Sequence, residues 1–152
     1  MATSTLVQFL GDGITSPTSI AGDTSNRRQV ETFIAGGTIA AGDVVAFDTS
    51  KTGADRVLYV TEAAQVANGN GLSCGVALAA ATAGEQVRAV IGGYALVSTH
   101  GGVALGNLLT AGGTSAGTVD GRVASDISPA FGITLEARVG AGLVAAWIYK
   151  SF

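Results

Sequence analysis

"GVALAAATAGEQVRAVIGG" occupies Gly75 to Gly93, and "GITLEARVGAGLVAAWIYK" occupies Gly132 to Lys150. Setting Gly75 over Gly132, an offset of 57, puts Val76 on Ile133, Leu78 on Leu135, Ala80 on Ala137, Val87 on Val144 and Ile91 on Ile148. Residue type and alternation are both kept, which is the period-2 signature of strands. Upstream, "AAGDVVAFDTS" (Ala40 to Ser50) matches "ALGNLLTAGGTS" (Ala104 to Ser115), with Gly42 over Gly106 at an offset of 64. The second copy is therefore seven residues shorter between these elements (64 − 57). Each copy offers a Gly-Asp or Gly-Asn turn opening a strand, a connecting stretch, a Gly-Val/Ile-x-Leu strand, a Gly turn and a closing strand. One copy alone has open edges and half a core, so the two are expected to close against each other. Val76, Leu78, Val87 and Ile91 are candidates for the shared core. Glu85 and Arg88 stand against Gly142 and Ala145, a difference expected where one unit faces water and the other faces a partner.

Outside the repeat the same pattern continues. "GDVVAFD" (Gly42 to Asp48), "RVLYVT" (Arg56 to Thr61) and "EQVRAVIGGYALVS" (Glu85 to Ser98) read as short strands rich in β-branched and aromatic residues. Turns are expected at "NGNG" (Asn68 to Gly71), Gly92-Gly93, Gly101-Gly102 and "TVDGRV" (Thr118 to Val123). In the last, Asp120-Gly121 suits the positive φ of a type I′ hairpin. Only "VTEAAQVA" (Val60 to Ala67) and "AFGITLEARV" hint at helix. The expected fold is all-β, a compact β-barrel or sandwich of two related strand-turn-strand halves over residues 30–152, with the repeat at about 40–98 and 104–150.

Residues 1–29, "MATSTLVQFLGDGITSPTSIAGDTSNRRQ", hold no sustained period and read as an extended N-terminal arm. Leu6, Val7, Phe9, Leu10 and Ile14 are apolar groups along this otherwise polar tether. Apolar side chains gain free energy only by docking, so these five are the candidate contacts to the chain's own barrel, to a neighbouring subunit or to another partner.

Charged residues make up 12% of the 152-residue chain, where roughly 25% is typical of soluble domains. So little charge leaves poor electrostatic protection against association, and much of the surface is expected to be covered by other chains. Nucleic acid is excluded as a partner: eight basic residues face eleven acidic ones, and only Arg27-Arg28 are adjacent. Glu85 and Arg88 interrupt the most apolar region, Gly75 to Val97, which falls short of the roughly 18 apolar residues a membrane span needs. The opening "MATSTLVQFLGDG" has no positive region before its apolar patch, which argues against a signal peptide and for a protein made in a cytoplasm.

No catalytic constellation emerges. His100, in "STHGG", is the sole histidine, and no cysteine lies near it at ligand spacing, so neither zinc nor a Ser98-His100-Asp triad is supported. Cys74 is the single cysteine and reads as a small buried hydrophobe. No P-loop motif is present, and Asp12 and Asp23 lack the acidic density of a calcium loop. Glu31, Glu62, Glu85 and Glu136 are isolated in sequence and are expected at solvated or rim positions. No metal or cofactor is expected, and the chain reads as a non-enzyme.

The order "AAGDVVAFD", "CGVALAAATAGEQVRAVIGGYALV", "VALGNLLTAGG" and "FGITLEARVGAGLVAAWI" resembles the small capsid decoration, or cement, proteins of tailed bacteriophages over about Ile39 to Ile148. The shared motifs are G-D-x-V, G-V-A-x-x-x-A-x-x-G-x-x-V-x-V and a second G-x-x-L/A-E-A copy. The resemblance implies a β-barrel that binds the major capsid protein on the outside of an icosahedral shell, commonly as a homotrimer, and bridges capsomers. The N-terminal arm departs from the compact members of that family. A head spike or tail/fibre component is the alternative within the virion; a small β-barrel hydrolase with a polar pocket near His100 is the alternative from another class. A carbohydrate-binding module is disfavoured because the three tyrosines and Trp147 are not clustered, and Trp147 is expected to face the core.

Overall fold

The computed structural model describes residues 28–66, 70–112, 114–122 and 130–149. Among these residues nine strands form: β1 (Arg28–Ala35), β2 (Val44–Phe47), β3 (Tyr59–Glu62), β4 (Ser73–Ala77), β5 (Gln86–Thr99), β6 (Leu108–Ala111), β7 (Val119–Gly121), β8 (Gly132–Thr134) and β9 (Gly142–Ile148). The fold is all-β; a short 3-10 helix, Gly53–Val57, lies between β2 and β3.

The pairings close into two rings. β1 pairs with β3, β3 with β2, β2 with β4, β4 with β5, and β5 back to β1. The second set runs β5, β7, β6, β8, β9 and returns to β5. Each ring is a five-stranded barrel, and the 14-residue β5 belongs to both. Its Gln86–Gly93 part pairs with β1 and its Gly93–Thr99 part with β9. A closed ring leaves no unpaired edge, which removes the main liability of a small sheet.

The register runs alike in the two copies. Val44↔Val76 and Val45↔Gly75 recur as Leu108↔Ile133 and Leu109↔Gly132. Val76↔Val90 and Ala77↔Ala89 recur as Ile133↔Trp147 and Thr134↔Ala146. Turn hydrogen bonds follow: Gly42 N to Ala77 O (2.8 Å) recurs as Gly106 N to Thr134 O (3.1 Å), and Leu78 N to Arg88 O (2.9 Å) as Leu135 N to Ala145 O (2.8 Å). The isolated bridge Ile39↔Ala81 recurs as Val103↔Arg138. Phe47↔Val60 against Ala111↔Val119 gives an offset of 59 for β3 and β7. Five of the seven missing residues therefore lie between β6 and β7 (64 − 59), opposite the longer connection that holds the 3-10 helix in the first copy.

Alternation fills the rings. Phe33, Val45, Val60, Val87 and Ile91 are buried in one cluster, and their counterparts Val97, Leu109, Val119, Val144 and Ile148 in another. Each fully buried side chain of this size contributes roughly 1.5–3 kcal/mol. Phe33 and Phe47 meet edge to face, centroids 6.2 Å apart, inside the first ring. The second ring has only Val97 and Ala111 at those places. Its cluster is completed instead by Val44, Val76 and Val90 from the outer face of the first ring.

The all-β fold of two related halves stands, as one nine-stranded sheet in which each half also closes its own ring of pairings. Several other expectations from sequence are corrected. Gly92-Gly93 is not a turn but the joint inside β5; Gly93 takes φ +96° there, a conformation open to glycine because it has no Cβ. Asp120-Gly121 lies within β7, paired to Thr110 and Leu109. The real β6–β7 turn uses the positive-φ residues Gly112 and Gly117, and the Asp120 carboxylate accepts the Thr114 amide at 2.7 Å across it. Val60–Glu62 is strand rather than helix, as is Gly132–Thr134, and Arg56 and Val57 fall in the 3-10 helix rather than in β3. Trp147 points to the outer face of β9, out of phase with the buried Val144, Ala146 and Ile148, and is half-buried.

Gly75 and Gly132 are required by close approach. A Cβ on Gly75 would sit 2.8 Å from Val90 O, and one on Gly132 2.6 Å from Trp147 O. Backbone on both sides cannot yield cheaply. Gly75→Ala and Gly132→Ala are each expected to cost about 1–3 kcal/mol, whereas Gly71→Ala, with nothing within 4 Å, is expected to be neutral or slightly stabilising. Thermal or denaturant unfolding of the three variants checks this.

Candidate functional site

Among the described residues no three His, Cys, Asp or Glu side chains gather where a metal could sit. His100 is exposed at the bend after β5. Cys74 is 1% exposed, its Sγ 3.5 Å from Val45 O, and burial pushes its thiol up to about 12, so at neutral pH it is not a thiolate nucleophile. Glu31, Glu62, Glu85 and Glu136 are all exposed. An open depression near Arg28, Leu78, Gln86 and Arg88 has a volume of about 420 Å³. No described helix is long and apolar enough to cross a membrane.

The seam between the rings is where polar groups meet packing. Gly117 O accepts Val44 N (2.7 Å), Gly117 N donates to Ala63 O (2.9 Å), and Gly112 O accepts Val66 N (2.9 Å). Gly42 O accepts Ser98 N (2.8 Å), and Leu143 Cδ2 fills the space a Cβ on Gly42 would need. Asp43 and Glu62 lie at this seam. Burial raises Asp43 above its ordinary value, partly countered by the Ala40 amide that its carboxylate accepts at 2.7 Å. Glu62 is raised by burial and then by the charge of Asp43.

The broad apolar feature is a cross-strand row present in both copies. In the first ring, register aligns Val30, Val90, Val76 and Val44 across β1, β5, β4 and β2. In the second, the same register aligns Tyr94, Trp147, Ile133 and Leu108 across β5, β9, β8 and β6. The first row is covered: Val44 and Val90 are 0% exposed and Val76 1%, and Val30 packs beside them. The second is open, with Tyr94 37% and Leu108 41% exposed and Ile133 and Trp147 half-buried. Leu135 extends it at 45%, where its counterpart Leu78 packs against the core. The alignment of Val76 with Ile133 is visible in the sequence; that both stand on the outer face follows only from the ring closure.

The arm residues Leu6, Val7, Phe9, Leu10 and Ile14 lie outside the described residues.

No protein-family model matches the chain, and no curated protein matches it. Among solved structures it is similar to the head fiber gp8.5 N base of bacteriophage phi29, with a TM-score of 0.57 and 20% identity over 81% of this chain and 95% of that one. At this identity the likeness is one of fold.

The carboxyls at the seam give a pH test. Both hold their protons more tightly in the fold than in the unfolded chain, so their contribution favours folding below the ordinary carboxylate range and is lost as pH rises through the raised values. The second copy carries Asn107 where the first has Asp43 and keeps the turn bond, Asn107 N to Ala104 O (3.2 Å). Asp43→Asn is therefore expected to raise the melting temperature at pH 7, with the gain shrinking toward pH 4. Melting curves of native and variant chains across that range check it.

Proposed function

We propose that this chain is a non-enzymatic structural protein of a tailed-bacteriophage virion. It is seated on the outer surface of the capsid, where it binds the major capsid protein as a homo-oligomer, a trimer by analogy with the decoration proteins it resembles, and bridges capsomers. The observation that carries this reading is the likeness of the two-ring body to the phi29 head fiber base, across 95% of that chain. The motif resemblance to decoration proteins and the exposed apolar row on a weakly charged surface point the same way. A shell-binding protein works through wide contacts repeated by the symmetry of the shell, and such multivalency turns weak single contacts into firm attachment.

The likeness to a head-fiber base favours a second reading on the same surface: the rings as the foot of a fibre or spike rather than a cement that spans capsomers. The two readings differ in what the shell gains. A cement raises the resistance of the shell to heat and osmotic shock, whereas a foot leaves it unchanged.

The test uses shells assembled with and without this chain. Label is expected over the shell surface at symmetry-related places, and shells lacking the chain are expected to open at lower temperature. Label confined to the tail, or none on the particle, would overturn the virion-surface reading. A chain beginning at Arg28, where β1 starts, is expected to keep its circular dichroism but lose co-sedimentation with shells; undiminished co-sedimentation would remove the arm residues from the contact.

A further inference from the structure

We propose that the open row Tyr94, Trp147, Ile133 and Leu108 is the docking surface for a second copy of this chain, which enters head to tail with its Asp48–Leu58 loop. The inference rests on the self-association in the proposed function and adds where and how the copies meet.

The repeat supplies the reasoning. The same row in the first ring, Val30, Val90, Val76 and Val44, is apolar at every place and is covered by the second ring of the same chain. A row that keeps its apolar residues in the second ring, with larger side chains, has kept the requirement for a cover. The socket differs in the same way: the Cβ space of Gly42 is taken by Leu143, while that of Gly106 has nothing within 4 Å.

The matching cover also exists twice. Within the chain the Val44 end of the first row is met by the β6–β7 turn, whose Gly117 accepts Val44 N and donates to Ala63 O. At the offset of 59 that relates β7 to β3, Gly117 falls on Leu58. The counterpart of the capping turn is thus the Asp48–Leu58 loop of the first ring, whose hydrogen bonds among the described residues all stay within that ring. It is longer by the five residues noted above and carries Val57 at 59% and Leu58 at 48% exposed. It is also held in shape: Asp48 accepts the amide and hydroxyl of Ser50 (2.9 and 2.7 Å), Arg56 Nε donates to Lys51 O (2.8 Å), and Lys51 Nζ lies 4.6 Å from the Tyr59 ring centroid. A preformed apolar tip loses little freedom on docking.

Each chain then carries one unused half of the seam at either end. Joining row to loop is a heterologous contact, which closes into a ring or propagates. A dimer would leave one row and one loop open, so three or more copies are required.

The experiment measures the mass of the full chain by analytical ultracentrifugation, with Leu108→Glu, Leu58→Lys and the two together. Both residues are substantially exposed, and circular dichroism verifies the fold of each variant. The native chain is expected at three copies or more. Each single charge is expected to weaken association at least about 30-fold, and the double variant, which sets Lys against Glu at every contact, to recover the native mass. Single variants that keep the native mass would overturn this interface while leaving self-association intact. A native chain that is monomeric or dimeric would overturn the inference too, the monomer taking the self-association reading with it. Loss of shell binding by Leu108→Glu with unchanged mass would give the row to the capsid protein instead.

Discussion

One strand holds the molecule together. β5 is the last strand of the first ring and the first strand of the second, so the two barrels are joined by continuous backbone rather than by a linker. The change of partner falls at Gly92-Gly93, where Gly93 stands opposite both Arg28 and Ile148. With φ at +96°, a side chain at this position would meet the steric cost that makes the left-handed region a glycine territory. The relative placement of the rings, the seam at Gly42 and Gly117, and the burial of the Val44, Val76 and Val90 row all follow from that joint.

The second dependence is on small residues. A five-stranded ring has little interior room, and the chain fills it with Val, Ala and single larger groups. The rings solve the filling problem differently. Phe33 and Phe47 occupy the first from within, whereas the second, with Val97 and Ala111 in their places, draws its remaining contacts from the outer row of the first. That asymmetry orients the seam: the first ring's outer face becomes core, and the second ring's equivalent face is left with Tyr94, Leu108 and Leu135 in solvent.

Legibility in the sequence followed the range of the interactions. Alternation exposed the strands around Val45, Val76, Val87 and Val144, and the 57-residue offset located both copies, because strand period and turn glycines are local signals. Ring closure was not local. The parallel β1–β3 and β5–β7 pairings join segments with no mutual signature, so two self-closed rings could not be told from one barrel made of two halves. Gly92-Gly93 and Asp120-Gly121 carried the chemistry of turns yet sit inside strands, since pairing on either side overrode local preference. The open row was hidden for the same reason: Trp147 and Tyr94 occupy strands rich in core residues, and only the register puts them together on the outside. Leu6, Val7, Phe9, Leu10 and Ile14 stand on the reading of the arm alone.

The proposed use in many copies on a symmetric particle asks for a body that does not open in parts, and that depends on β5. Native-state hydrogen exchange of the β5 amides tests this most directly. If β5 is the common member of both rings, Val87–Ile91 and Ala95–Val97 exchange slowest in the chain, at one shared rate set by global unfolding. Exchange of one of these segments well ahead of the other would contradict it, showing two barrels that open independently.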